Sequence, residues 1–541
     1  MYKFWQNLTL GKKTILILAV IILAGFIFRT YNFSEWLRFN MDQSRDISVV
    51  EDSIMENSWP SLGPKAGGTD FKLGPAFYYF QIISAKIFGA TPEAAAYPDL
   101  FFSLLSIPLF FLLARIYFNR PISLSLAWLF SISYFVIKYS RFAWNPNSTP
   151  FFTMLFLYAV YRIGDSQGSR KIWWAVIAGV AMGIGIQLHT TLLIIMPIGA
   201  LFFAYYLFKD GSLTKGCVIA VVAGALLVNA PQIASELQTG GMNTRIFILS
   251  VTEKNERNTS MLDNLALDVS CHIRANYGIL AAYGNEEECG YGDLVNRMEK
   301  LDSKRVPLAD KAIFVVYVFA AAVFSIGGYY LAFRELKKQE DKAKKLFAKL
   351  AATYTILTFL FFIVWATELS MRFFLILEFV PFLLLGFWLK FLWGKADRRW
   401  LAIALVIVAS FFNLQKNFAV FRDLQFGGRE INGDFEYITL GEVDFIVGYM
   451  RDNVAGGKTA YVDAQAGYLF KSLKSLRFVA KKSDLEVVEL SEDVKLAGGS
   501  QLFYLRNAEE KCELPSKVSK KYEIKNCSVY RQFSVFDLRV K

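Results

Sequence analysis

The sequence predicts an α-helical polytopic membrane protein of about eleven transmembrane helices, with a small α/β domain at the C-terminal end. Three observations predict it. The 541 residues are 54% hydrophobic and 16% aromatic, and their mean hydropathy is +0.34, too apolar for an ordinary soluble enzyme. Apolar stretches of about 20 residues, the length needed to cross a ~30 Å hydrocarbon core, recur along the chain. Lys and Arg gather in short connections between these stretches, so the +12 net charge reads as a topology signal and not as a nucleic-acid surface.

The first stretch begins near Thr14 in "KKTILILAVIILAGFIF". No small-residue cleavage site follows it, only Arg29 and aromatics, so it reads as a retained helix rather than a removed signal peptide. Further stretches lie near 97–118, 121–139, 149–163, 172–189, 191–208, 217–237, 311–333, 347–366, 372–393 and 400–418. With the N-terminus cytoplasmic, the basic segments "ARIYFNR", "GSRK", "RELKKQEDKAKK" and "GKADRR" all fall inside. An odd number of spans then leaves the C-terminus outside, as expected of a multi-pass protein of the cell inner (plasma) membrane.

Three polar regions fall on the outer side. Residues 31–96 include "KLGPAFYYFQIISAKIFG", which reads as a helix at or dipping into the interface, with Pro75 near its start. The second region is the loop 238–310. The third, 419–541, reads as an extracytoplasmic α/β domain attached to a transmembrane domain over 1–418. In it "VDFIVGYMRDNV" has helical apolar spacing, "TAYVDA", "QLFYLRN" and "SVYRQFSVFDLRV" read as strands, and "VAGGK" supplies a turn. Of the five cysteines, Cys217 lies in an apolar run, whereas Cys271, Cys289, Cys512 and Cys527 lie in the two outer polar regions. If those regions face an oxidising compartment, Cys271–Cys289 and Cys512–Cys527 form local disulfides; free buried thiols are the alternative.

Candidate chemistry lies on the outer side. In "MDQSRD", Asp42, Arg45 and Asp46 share one side of a helix at i, i+3 and i+4. A carboxylate there can serve as a general base or join a cation site, or it can belong to a solvated helix start with Asp42 or Asn40 as N-cap. "KYSRFAWNPNSTPFF", 138–152, gathers Lys138, Arg141, Asn145 and Asn147, suited to phosphate or sugar hydroxyls or simply to anchoring with Trp144. "IQLHTTLL" sets Gln187 and His189 at an outer helix end, where a lone His is more often a packing residue than a ligand. Arg372 starts the tenth stretch and either snorkels or meets a lipid phosphate, and the deeper Glu378 needs a partner. Fifty Phe and two His argue against a haem or a His-rich metal site.

The motifs "MDQSRD", "LGPAFYYFQIISAKIFG", "YSRFAWNPN", "GIQLHTT" and "MRFFLILEFVPF" occur in the order seen in bacterial GT-C glycosyltransferases. The chain resembles the branch related to protein O-mannosyltransferases and lipid A aminoarabinose transferases over roughly residues 14–418. The resemblance implies a GT-C type fold and an inverting transferase. Such an enzyme would move a sugar from a polyprenyl-phosphate donor to a lipid, glycan or protein acceptor on the outer face. By that resemblance Asp42 matches the catalytic base, with Gln43, Arg45, Asp46 and His189 as its orienting shell. Lys72, Arg141 and Arg372 are the donor-phosphate candidates, and Tyr78, Asn145 and Asn147 the sugar or acceptor contacts. Many relatives carry an acidic residue where Gln43 stands, and "KLGP" replaces a more usual Lys-Pro-Pro. No metal ligands are assigned, although a divalent cation stays open. The partners expected are the lipid-linked sugar, membrane lipids and the acceptor, with no nucleic acid. Competing readings are a lipid-linked glycan polymerase or ligase, and a flippase of lipid-linked sugar. A transporter should carry mid-membrane ionisable groups, of which Glu378 is the single candidate.

Overall fold

The computed structural model describes residues 9–253, 260–282, 289, 308–365, 369–427, 430–431, 434–435, 437–454, 458–465, 468–490, 496, 501–508 and 512–541. The first helix, α1 (Leu10–Thr30), starts behind the N-cap Thr9. At 1.5 Å per residue its 21 residues reach about 31 Å, enough to cross a bilayer core. The connection after α1 folds into α2 (Met41–Met55) and α3 (Ala76–Phe88). Pro75 stands at the N-cap of α3, as the sequence predicts. Next come α4 (Pro92–Tyr117), α5 (Arg120–Ile132), a short helix Tyr134–Lys138 and a 3₁₀ turn Asn145–Ser148. The bundle continues with α6 (Thr149–Asp165), α7 (Ser169–Leu188), α8 (Thr190–Lys209) and α9 (Lys215–Gln238). It is completed by α10 (Met242–Glu253), α11 (Met261–Ala281), α12 (Leu308–Lys337), α13 (Lys342–Trp365), α14 (Val380–Trp393) and α15 (Arg399–Phe426).

Among the described residues, eight helices are long and apolar enough to cross a membrane, and a bent pair makes a possible ninth. The expected count of about eleven is therefore not confirmed. The third expected span is broken at Ser133 into α5 and the short helix, and α6 has 17 residues. The break frees backbone groups that buried polar side chains satisfy. Arg29 Nη1 donates to the Ser131 carbonyl at 2.7 Å, Asn417 Nδ2 to that of Ile132 at 3.0 Å, and Tyr134 N donates to Asn413 Oδ1 at 2.9 Å. The tenth expected span is likewise two pieces, the 3₁₀ segment Met371–Leu377 and α14, bent by 67°. Pro381 in the first turn of α14 lacks the N–H that would carry the helix through.

Packing between α7 and α9 depends on small residues, as between membrane helices generally. A Cβ added at Gly179 would meet the Val221 carbonyl oxygen at 2.2 Å, and one at Gly183 would meet the Val228 side chain at 2.4 Å.

The C-terminal region forms α16 (Leu440–Asn453), β1 (Thr459–Ala464), α17 (Tyr468–Lys481), β2 (Glu486–Glu489), β3 (Gln501–Asn507), β4 (Tyr522–Tyr530) and β5 (Phe533–Val540). The five strands make one mixed sheet of order β2-β1-β3-β5-β4. The β1–β2 and β1–β3 pairs are parallel, and β5 runs antiparallel to β3 and β4. β1 and β3 coincide with the predicted strands, while α17 and β2 were not foreseen. The "VAGGK" turn lies partly outside the described residues.

This α/β unit sits on the connection between α1 and α2 and on α2 itself. Phe39 N donates to the Ile438 carbonyl at 2.9 Å and Leu440 N to that of Leu37 at 2.8 Å. Ser475 Oγ donates to the Phe39 carbonyl at 2.6 Å, and Lys482 pairs with Glu51 of α2 at 3.3 Å. Both expected disulfides, Cys271–Cys289 and Cys512–Cys527, are formed, and Cys217 is a buried free thiol.

Candidate active site

The site starts at the N-terminus of α2. Asn40 is the N-cap; its backbone N–H donates to Gln43 Oε1 at 3.1 Å, and its Oδ1 accepts from Ile438 N at 3.0 Å. Capping is thus settled without Asp42, whose carboxylate is left in the first turn, where the helix dipole favours an anion. Arg45 then reaches both acids. Its Nη1 donates to Asp42 Oδ1 at 2.9 Å, and its Nη2 lies 2.8 Å from Asp46 Oδ1. The side chain of Asp42 is 51% exposed, that of Asp46 only 2%. One carboxylate faces outward while the other is its buried support.

Tyr78 on α3 donates to Asp46 Oδ1 at 3.1 Å. Burial, opposed by Arg45, pushes the Asp46 carboxyl up to about 6. Burial and then the Asp46 charge raise the Tyr78 phenol, so it stays protonated and donates. Tyr78, expected to touch sugar, here hydrogen-bonds the buried Asp46.

The 138–149 segment closes on this helix. Gln43 Nε2 donates to the Ala143 carbonyl at 2.9 Å. The "NPN" amide nitrogens bond to backbone: Asn145 Nδ2 donates to the Leu188 carbonyl and Asn147 Nδ2 to that of Phe142, both at 2.7 Å. Arg141, 7% exposed, donates to the carbonyls of Phe28, Arg29 and Tyr31 at 2.8–3.0 Å. These are the open carbonyls at the end of α1, which a helix terminus cannot satisfy within itself. Arg141 was expected at a phosphate and Asn145 and Asn147 at a sugar; in this structure the Arg141 guanidinium and the two amide nitrogens bond to backbone carbonyls.

Asp99, buried inside α4, accepts from Trp144 N at 3.0 Å and from Ser148 Oγ at 2.5 Å, so it fixes the same turn. Below that turn Ser103, Ser106, Asn147 and Glu378 line a small polar cavity with room for about one water molecule. Arg29 is the electrostatic partner of Glu378.

Lys72 and His189 are placed by their neighbours. The amide of Asn243 on α10 pairs with both backbone groups of Lys72, each at 2.9 Å, and leaves the side chain exposed. Two residues on, a Cβ at Gly74 would meet Gln187 Cγ at 2.3 Å, and Gln187 Oε1 accepts from Ala76 N at 3.0 Å. His189 Nδ1 accepts from Thr191 N at 3.1 Å, and its ring meets Phe373 edge-on. Burial, then the Arg372 charge, hold its imidazole down at about 4. It is a neutral cap of α8 beside an exposed guanidinium.

The expected side-by-side placement of Asp42, Arg45 and Asp46 on one helix is present in the structure. Asp99, Asn243 and Ser475 were not foreseen. Asp99 carried a readable signal, an acid within an apolar run; the other two act on backbone groups far away in sequence, which leave no local mark.

Residues 72–234 match the family described as dolichyl-phosphate-mannose-protein mannosyltransferase. The crystal structure of ArnT from Cupriavidus metallidurans in the apo state is 12% identical, with a TM-score of 0.52 over 97% of this chain and 98% of that one. The same protein bound to undecaprenyl phosphate gives 11% identity and a TM-score of 0.51, over 98% of both chains. An Archaeoglobus fulgidus oligosaccharyltransferase, in complex with Zn and sulfate, gives 15% and 0.49 over 87% of this chain and 62% of that one. No curated protein matches the chain by sequence. The helical bundle with its C-terminal α/β unit has the fold of the GT-C membrane glycosyltransferases. Over residues 72–234 the chain is similar to that mannosyltransferase family, and its fold is similar to that of ArnT; together they indicate a glycosyltransferase.

Proposed function

We propose that the chain is an inverting glycosyltransferase that moves a sugar from a polyprenyl-phosphate donor to a hydroxyl of a lipid, glycan or protein on the outer face of the membrane. Asp42 is the base in this reading. The observation that carries it is the division of labour on α2, where Asp42 is half exposed while Asp46 is buried and both share Arg45. In the reaction the acceptor oxygen bonds to the anomeric carbon as its proton passes to the free oxygen of Asp42. The anomeric C–O bond breaks on the opposite side, and its electron pair leaves with the lipid phosphate. That leaving group already carries charge, so fixed cations stabilise it more than an acid would. Lys72 and Arg372, both exposed, are proposed for that task. Arg45 holds Asp42 in one orientation and supplies positive charge between the two carboxylates. The ArnT structure determined with undecaprenyl phosphate supports a donor of polyprenyl-phosphate type. We place the N-terminus in the cytoplasm and the α/β unit outside, in line with the basic connections.

The test is a labelled polyprenyl-phosphate sugar incubated with membranes containing the protein, scored for released polyprenyl phosphate and for label on an acceptor. Release that depends on Asp42 supports the reading. Movement of intact lipid-linked sugar across the bilayer, without release, would replace it with transport.

A further inference from the structure

A second cleft lies beside the carboxylate helix, on the other side of the 138–142 segment. Trp36, Arg38, Lys138, Arg141, Asn417 and Phe421 are among its lining residues. Three of these are cations, and none of the described lining residues is acidic. Its hydrogen-bonding groups are unevenly matched. Trp36 is 4% exposed, yet its indole Nε1 has no hydrogen-bond partner, and neither does the buried Nε of Arg38. Leaving a buried donor unmade is costly, and here two such donors belong to residues that line one cleft. The Arg38 guanidinium is also held rigid, 5.0 Å from the Phe142 ring centroid and 5.4 Å from that of Tyr437. An acceptor-rich anion would satisfy both donors.

The place of the cleft selects the kind of anion. Trp36 and Arg38 follow directly on the outer end of α1, and Arg141 caps that end. The remaining wall is the outer half of α15, through Asn417 and Phe421. On that helix Phe411 and Phe418 are 61% and 60% exposed, an apolar surface leading from the mouth along a membrane-crossing helix. A cationic, donor-rich opening at the end of a span, continued by exposed aromatics, matches a lipid whose head lies at the interface and whose tails run into the core. We infer that this cleft binds the phosphate headgroup of an anionic membrane phospholipid, with Trp36 Nε1 and the Arg38 guanidinium as donors and the acyl chains lying along α15. The site is separate from the Asp42 group but shares its supports: Arg38 lies four residues before Asp42, and Phe142 adjoins the carbonyl that Gln43 holds.

The test uses the full chain purified in detergent and titrated, under native mass spectrometry, with phosphatidylglycerol, phosphatidylcholine or inorganic phosphate. One phosphatidylglycerol should be retained about tenfold more strongly than phosphatidylcholine, and inorganic phosphate should not displace it. Arg38→Gln should weaken retention about tenfold, as expected for loss of a charge-assisted hydrogen bond. Val420→Trp fills the cleft from a half-buried position without removing a charge, and it should weaken retention as well. Unchanged phosphatidylglycerol binding in both variants, at unchanged melting temperature, would overturn the assignment. Displacement by inorganic phosphate at equal concentration would make the cleft a free-anion site and overturn the lipid assignment.

Discussion

Replacing Asp42 by asparagine should separate chemistry from folding, because the two costs differ in size. The carboxylate is half exposed and makes one ion pair, to Arg45 at 2.9 Å. An exposed pair of this kind is worth about 0.2–1 kcal/mol, and an anion in the first turn of a helix about 0.3–1 kcal/mol more. The amide keeps the shape and leaves the Arg45–Asp46 contact in place. Stability should therefore fall by about 2 kcal/mol at most. Loss of a positioned general base costs about 10²–10⁴ in rate, which is about 2.7–5.5 kcal/mol of barrier. Wild type and Asp42→Asn would be reconstituted in liposomes with labelled polyprenyl-phosphate sugar, with release of polyprenyl phosphate timed and thermal unfolding followed on the same samples. The expected outcome is a melting temperature within a few degrees of wild type and turnover lower by at least a hundredfold. A well-folded variant that turns over within a few-fold of wild type would remove Asp42 from the mechanism and Arg45 with it.

Asp46 supplies a pH signature. Its folded value of about 6 lies above the usual ~3.9, so the folded state binds the extra proton and stability should decline as pH rises from about 4 to 6. Over the same window transfer should rise, since ionised Asp46 shares Arg45 with Asp42; a pH–rate profile of Asp46→Asn should lack that step. Arg45→Gln should destabilise the protein more at pH 8 than at pH 5, because the unpaired buried carboxylate is charged only at the higher pH; equal melting shifts at both would contradict the pairing. Arg372→Lys should weaken donor use several-fold despite the kept charge, since a guanidinium grips two phosphate oxygens and an ammonium does not; an unchanged donor KM would move the phosphate site elsewhere. Thiol labelling of the denatured, unreduced protein should modify Cys217 alone, and labelling at five positions would refute both disulfides.

What the sequence disclosed follows from the range of the forces involved. Asp42, Arg45 and Asp46 were legible because a helix places i, i+3 and i+4 side by side whatever surrounds it. The β1 and β3 strands were legible because short apolar runs bounded by turns announce a strand locally. The break at Ser133 was not legible. An apolar run looks continuous to a hydropathy count, and the groups that make the break tolerable, Arg29, Asn413 and Asn417, lie about a hundred to nearly three hundred residues away. The contacts of Arg141 were not legible for the same reason: a guanidinium capping carbonyls and one waiting for phosphate look alike until the carbonyls are located. In this chain the local chemistry of the site was readable, and the long-range backbone repairs that hold it were not.

The contact between the α/β unit and α2 also fixes an order of events. Asn40, two residues before the proposed base, is tied to Ile438, and the carbonyl of Phe39 is tied to Ser475. These partners are separated by 398 and 436 positions, so the first outer helix emerges from the ribosome long before its anchors exist. Until the final fifth of the chain has been made and has reached the same face, the Asp42 turn lacks the contacts that set its angle. If Asp42 is the base, as proposed, a nascent or prematurely terminated chain would hold that carboxylate unaimed, and completion of synthesis would itself be the step that sets its angle.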